Sequence, residues 1–290
     1  MIEGSLVALI TPFRDDELDE DAIRSMVRWQ IEQGTHGIVP VGTTGESATL
    51  TVKEHCRVIE LVAEEAAGRI PIVAGAGSNN TREAIFYNKH AQELGADAAL
   101  HVAGYYNRPS QEGLFKHFEA VHEASTIPII VYNIPPRAIV DILPETMARI
   151  AALPRVVGVK DATGDLTRPI RERLLVEGEF SFLSGEDGTA VSYNAAGGNG
   201  CISVTANIAP ALCAEMQTAC MKGDYSNAAK IQERLMPLHM ALFSEPSPAG
   251  VKFAASRLGL CDEYCRLPMV PLSMNSKSAI LDAIEMLDLA

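Results

Sequence analysis

Eight short apolar runs, each followed by an amphipathic stretch, constrain this chain more than any other feature of its sequence. The strand-like runs cover residues 6–11, 37–41, 70–74, 98–102, 129–132, 156–160, 180–183 and 201–204. Most are nearly continuous hydrophobes, as strands buried on both faces require. The helical patterns between and after them cover residues 19–33, 52–67, 81–94, 111–124, 144–153, 165–177, 188–196 and 209–221. Gly34, Gly68 and Gly95 follow the first three helices, where a left-handed C-terminal cap is wanted.

Alternating βα units imply a parallel sheet. Eight of them in about 220 residues fit a (β/α)8 TIM barrel better than an open doubly wound sheet. Residues 224–290 show no strand pattern and read as about three helices, broken at 246–248 and 268–271 where prolines cluster. The organisation expected is an α/β barrel domain over 1–223 and a C-terminal helical domain over 224–290.

Of the 290 residues, 47% are hydrophobic and 21% charged, the mix of an ordinary globular protein. Lys and Arg number 24 against 37 Asp and Glu, a net charge of −13. That balance argues against nucleic acid or an anionic membrane as partner. No apolar run reaches the ~18 residues of a membrane helix. Residues 1–13 read as a first strand rather than a signal peptide. The six cysteines show no C-x-x-C spacing, which suits reduced thiols in a cytoplasmic protein.

Several chemistries lack their signatures. There is no phosphate-binding G-x-x-x-x-G-K-[ST] loop, and Gly75-Ala76-Gly77 lacks the third glycine of a dinucleotide fingerprint. No H-E-x-x-H or G-x-S-x-G occurs. His117 and His122, five residues apart, do not share a helix face. Neither a cofactor nor a metal is expected.

Active sites of such barrels gather at the C-terminal ends of the strands. Lys160 closes the sixth strand, with Gly158 two residues before it and on the same side. If that side faces the interior, the glycine leaves room for a ligand, and a desolvated amine there is a nucleophile toward a carbonyl. A solvated strand-end lysine is the plainer alternative. After the second strand, the run Gly42-Thr43-Thr44-Gly45-Glu46-Ser47 enters a helix. Its amides could hold a carboxylate, or it could be a tight turn whose Ser47 or Thr51 caps the helix. Tyr106 and Tyr132 suit proton transfer or simple packing, and Arg137 suits a carboxylate or plain solvent. These residues converge on one face from strands two, four, five and six.

The motifs resemble the pyruvate-dependent class I aldolase superfamily and, within it, the dihydrodipicolinate synthase family. Those carrying the resemblance are Gly42-Thr43-Thr44-Gly45-Glu46-Ser47, Tyr105-Tyr106-Asn107-Arg108-Pro109, Tyr132-Asn133-Ile134-Pro135-Pro136-Arg137, Val159-Lys160-Asp161-Ala162-Thr163-Gly164, Ser184-Gly185-Glu186-Asp187 and Ile202-Ser203-Val204. The resemblance implies a lyase of lysine and diaminopimelate biosynthesis that joins pyruvate to L-aspartate-4-semialdehyde. Lys160 would form the Schiff base, and Tyr132 would pass protons with Thr43 and Tyr106, the latter reaching in from a neighbouring subunit. The Thr43 and Thr44 amides, the Ile202 main chain and Gly185 would bind substrate, and Arg137 would receive the aldehyde's carboxylate. A homotetramer, a dimer of dimers, is also implied. So is an L-lysine effector site at Ser47, Ala48, Leu50, His55, Asn79, Glu83 and Tyr105, in which His55 would add a polar contact near neutral pH.

The sequence departs from the family pattern at Gly104, Pro136 and Ala138, and at Ser247-Pro248-Ala249-Gly250-Val251-Lys252. These positions bear on aldehyde choice or assembly, not on the Schiff base. A sugar-acid or N-acetylneuraminate lyase or dehydratase of the same superfamily is the alternative. Arg137 and the Thr43-Thr44 pair speak against it.

Overall fold

The computed structural model describes residues 1–102 and 104–289. The bound at Ala290 therefore lies outside the described residues. The elements begin with β1 (Gly4–Ala8), a hairpin of β2 (Phe13–Arg14) and β3 (Glu17–Leu18), and α1 (Glu20–Glu32). Then follow β4 (Gly37–Val39), α2 (Val52–Ala66), β5 (Val73–Gly75), α3 (Thr81–Glu93), β6 (Ala98–Val102) and α4 (Gln111–Ala124). Next come β7 (Ile129–Asn133), α5 (Pro135–Ala138), α6 (Pro144–Ala151), β8 (Val156–Asp161), α7 (Arg168–Arg173), β9 (Ser181–Ser184) and α8 (Ala190–Ala195). The chain ends with β10 (Gly200–Ser203), α9 (Pro210–Met221), α10 (Tyr225–Leu242), α11 (Ala249–Arg257) and α12 (Met274–Met286).

Eight strands form one parallel sheet in the order β4-β1-β10-β9-β8-β7-β6-β5. A parallel bridge between Ile38 and Ile72 joins its two edges, so the sheet closes into the expected TIM barrel. Its interior is packed by Leu6, Leu100, Ile130, Leu183 and Ile202, a dry floor beneath the C-terminal rim. A larger apolar layer lies between the strands and the surrounding helices. Leu235, Leu238, Ile280 and Ile284 from the C-terminal helices share that layer with Ile23, Val58 and Cys213 of the barrel.

Local signals explain most boundaries. Asp19 caps α1, Thr51 and Glu54 form a capping box on α2, and Ser110 caps α4. Gly34, Gly68 and Gly95 all take positive φ, as their positions after helices require.

Some expectations shift. The first strand starts at Gly4, where Gly200 comes so close that a Cβ on Gly200 would lie 2.3 Å from the Gly4 carbonyl oxygen. The helix expected over 165–177 shrinks to α7, because Asp165 folds into its own turn and accepts from the Thr167 amide at 2.9 Å. The β2–β3 hairpin escaped the sequence reading. It is two residues per strand, turned by Asp15 and Asp16 at φ 53° and 68°. No described helix is long and apolar enough to cross a membrane.

Candidate active site

Lys160 is the penultimate residue of β8, inside the rim, and is only 6% exposed. Tyr132 is its partner on the neighbouring strand β7, and the Lys160 Nζ lies 4.3 Å from the centre of the Tyr132 ring. Alternation along parallel strands aims both side chains inward above the apolar floor. Gly185 lies against this wall: a Cβ there would lie 2.8 Å from Ala162 Cβ, 3.1 Å from Asp161 O and 3.2 Å from Lys160 Cε, so the glycine lets its strand end approach the segment that carries the lysine. Ile202 is buried on β10 among the floor residues.

Gly158 behaves differently from the expectation. A Cβ at this position would collide with Ser181 of β9 at 2.7 Å from its carbonyl oxygen. The glycine therefore serves close strand approach low in the barrel, and the space goes to Ser181 rather than to a ligand.

The turn after β4 brings Thr43 and Thr44 to the same rim. Thr44 is buried and Thr43 exposed. The Gly45 amide donates to Gly42 O at 3.1 Å and the Glu46 amide to Thr43 O at 3.1 Å. Among the described residues no carbonyl accepts from the Thr43 or Thr44 amide. Two adjacent donors without a backbone acceptor suit a small carboxylate. Arg137 is exposed on the single turn α5, directly after the Tyr132 strand. Desolvation and the adjacent Asp187 raise the Glu186 carboxyl, while Lys160 and Arg137 oppose them, so both cations act on one rim position.

Tyr106 stands apart. It is 86% exposed at φ 67°, a left-handed conformation that a bulky residue rarely adopts. No hydrogen bond joins Thr43, Tyr132 and Tyr106 among the described residues. The residues implied for an effector lie in the turn after β4, on α2, at the start of α3 and after β6. Asn79 Nδ2 donates to Tyr105 O at 3.2 Å, and Glu83 accepts from Ser78 Oγ at 2.8 Å. Ser47 and Ala48 sit on a short 3-10 turn that ends at Leu50. His55 is buried against the ring of Tyr87 on α3, centroids 4.1 Å apart, and burial pushes its imidazole down to about 4. Its ring is therefore neutral near pH 7.

Two supports of the site were not foreseen in the sequence, one of them a role for a residue already in a quoted motif. Asp187 is buried and holds the end of β10, accepting from Ser203 Oγ and from the Val204 amide at 2.9 Å. Near Asp161, the residue after Lys160, Arg168 joins Asp141 and lies 3.7 Å from Glu172. Burial, with Asp161 nearby, raises the Glu172 carboxyl to about 8. For the second support, the spacing of Arg168 and Glu172, four apart on a helix, was the readable signal.

A model of the dihydrodipicolinate synthetase family matches residues 1–287. The chain belongs to the dihydrodipicolinate synthetase family. A 4-hydroxy-tetrahydrodipicolinate synthase from Parvibaculum lavamentivorans is 59% identical over 98% of both chains. Among solved structures, the chloride-inhibited dihydrodipicolinate synthase from Acinetobacter baumannii, complexed with pyruvate, is 43% identical over the full length of both chains, with a TM-score of 0.98. The enzyme of this family from Cyanidioschyzon merolae, solved with lysine bound, is 33% identical over 100% of this chain and 99% of that one, with a TM-score of 0.96.

Proposed function

We propose that this chain condenses pyruvate with L-aspartate-4-semialdehyde to give 4-hydroxy-tetrahydrodipicolinate, as a step of lysine and diaminopimelate biosynthesis. The observation that carries the reading is the buried Lys160 amine against the Tyr132 ring, in a chain of this family. The amine adds to the pyruvate ketone, and loss of water leaves an iminium. That cation draws electrons from the adjacent methyl, which gives up a proton and becomes an enamine carbon. The enamine attacks the aldehyde, and cyclisation through the substrate's own amine releases Lys160. Each stage moves a proton, and Tyr132, whose ring lies against the reacting amine, carries the hydroxyl suited to move it.

The Thr43 and Thr44 amides hold the pyruvate carboxylate, with the Ile202 main chain and Gly185 shaping the pocket. Arg137 takes the carboxylate of the aldehyde in a bidentate grip. Tyr106 completes the relay with Thr43 in a neighbouring copy. Its high exposure and left-handed backbone support that assignment, and with it a homotetramer made of two tight dimers. L-lysine binds at Ser47, Ala48, Leu50, His55, Asn79, Glu83 and Tyr105, in line with the lysine-bound relative. Six unpaired cysteines support a cytoplasmic location. The sugar-acid alternative has no observation in its favour, and the named relatives are synthases. The test is a coupled assay with pyruvate and aspartate semialdehyde, run beside a panel of sugar-derived aldehydes. Turnover restricted to the semialdehyde supports the reading, and preference for a sugar aldehyde overturns it.

A further inference from the structure

Glu46 closes the loop that carries Thr43 and Thr44, yet its side chain points away from the barrel mouth into the C-terminal extension. Glu46 Oε1 accepts from Lys252 Nζ at 2.6 Å, and Oε2 accepts from the Arg266 amide at 3.0 Å. Lys252 sits on α11 and is wholly buried, its partner carboxylate nearly so, at 0% and 3% exposure. The same amine lies 4.3 Å from the Phe13 ring centre, and the Arg266 guanidinium lies at the same distance from that ring. Arg266 goes on to donate to Thr49 O at 3.1 Å, to Glu54 at 2.5 Å and to Asp16 at 3.0 Å.

From these contacts we infer that Glu46 and Lys252 are positioning residues for the pyruvate carboxylate, a step that rests on the function proposed above. The chain of cause is short. The ion pair fixes Glu46, which is held at φ 55° in the left-handed region and does not stay there unsupported. The Glu46 amide then grips Thr43 O at 3.1 Å. A trans peptide is planar, so fixing that carbonyl fixes the opposite direction of the Thr44 N–H. The Gly45 amide does the same for the preceding peptide through Gly42 O, which aims the Thr43 N–H. Thr11 Oγ1 donates to Gly45 O at 2.7 Å and keeps the turn against β1. The two amides proposed to hold the carboxylate are thus aimed by a contact more than two hundred residues away in sequence.

A buried ion pair contributes little net stability compared with apolar packing, so its placement here is better explained by geometry than by folding energy. Removing the amine leaves a buried carboxylate with one partner, and the loop relaxes toward water.

Steady-state kinetics on the intact Lys252→Met and Glu46→Gln proteins test this. Lys252→Met should raise KM for pyruvate at least tenfold while KM for aspartate semialdehyde stays within twofold. Glu46→Gln keeps one acceptor oxygen and turns the other position into a donor facing Lys252 or the Arg266 amide, so it should raise pyruvate KM at least two- to fivefold and decides the matter if Lys252→Met does not fold. A merely structural role lowers kcat through the folded fraction and moves neither KM. Unchanged pyruvate KM in the folded variants, or an equal rise in both KM values, overturns the inference. Wild-type protein inactive with this substrate pair refutes the functional reading instead.

Discussion

Tyr132 and Lys160 occupy the same rung of neighbouring parallel strands, and the lysine amine rests 4.3 Å from the centre of the tyrosine ring. The ring gives the cation a favourable face and excludes water, and the hydroxyl lies at the ring's far end. Packing and proton transfer therefore reside in different parts of one side chain. Tyr132→Phe should leave pyruvate adduct formation at Lys160 detectable while kcat falls by roughly a hundredfold. Tyr132→Ala should weaken adduct formation as well. Equal kcat in Tyr132→Phe and wild type removes Tyr132 from the relay.

Arg137 stands on α5, at the rim and beyond the Lys160 wall. Arg137→Ala should still trap pyruvate on the enzyme, while kcat/KM for aspartate semialdehyde drops by about two orders of magnitude, the scale of a lost bidentate carboxylate contact. Lost trapping with intact aldehyde kinetics reverses the assignment. Pro136 and Ala138 flank this residue, so aldehyde preference is where the chain has most room to differ from its relatives.

The role proposed for Tyr106 in a neighbouring copy ties activity to assembly. Tyr106→Phe should lower kcat at least tenfold without changing the unfolding midpoint. Sedimentation at assay concentration should give four chain masses, and a fully active monomer contradicts this role for Tyr106.

Lysine regulation is tested by titrating initial rate with L-lysine in wild type and Glu83→Ala. Glu83 is exposed and can pair with the effector's side-chain amine. Noncompetitive inhibition that weakens at least tenfold in Glu83→Ala supports a separate site. Insensitivity of the wild type to millimolar lysine refutes regulation, and competition with pyruvate that persists in the variant moves lysine to the active site. Because burial keeps His55 neutral, inhibition should not depend on its titration between pH 6 and 8.

Glu172 predicts a pH effect on stability. Its carboxyl is raised from 4.5 to about 8 in the fold by burial. The folded state therefore keeps a proton that the unfolded chain gives up, and this contribution is full below about pH 4.5 and lost as pH rises through about 8. Glu172→Gln should flatten the dependence of urea unfolding over that window and be relatively stabilised at pH 8.5, by an amount of order a few kcal/mol. Parallel curves for variant and wild type refute the assignment.

The barrel was legible because strands buried on both faces leave continuous apolar runs, and because Gly34, Gly68 and Gly95 punctuate the helices between them. Lys160, Tyr132 and the Thr43–Thr44 turn were legible from their places at strand ends. The Asp15–Asp16 hairpin was not, since two residues per strand give no periodicity to read. The Glu46–Lys252 pair was hidden for another reason: sequence spacing carries no trace of a contact that only tertiary packing brings about. Gly158 misled because alternation gives the side a residue faces but not what fills the space there.

Borohydride trapping tests most directly whether Lys160 is the residue that bonds to pyruvate. Protein incubated with pyruvate and reduced with borohydride is digested and its peptides are weighed. One reduced pyruvyl adduct per chain is expected, on the peptide containing Lys160, and none in Lys160→Ala. An adduct on another lysine, or undiminished turnover in Lys160→Ala, contradicts it.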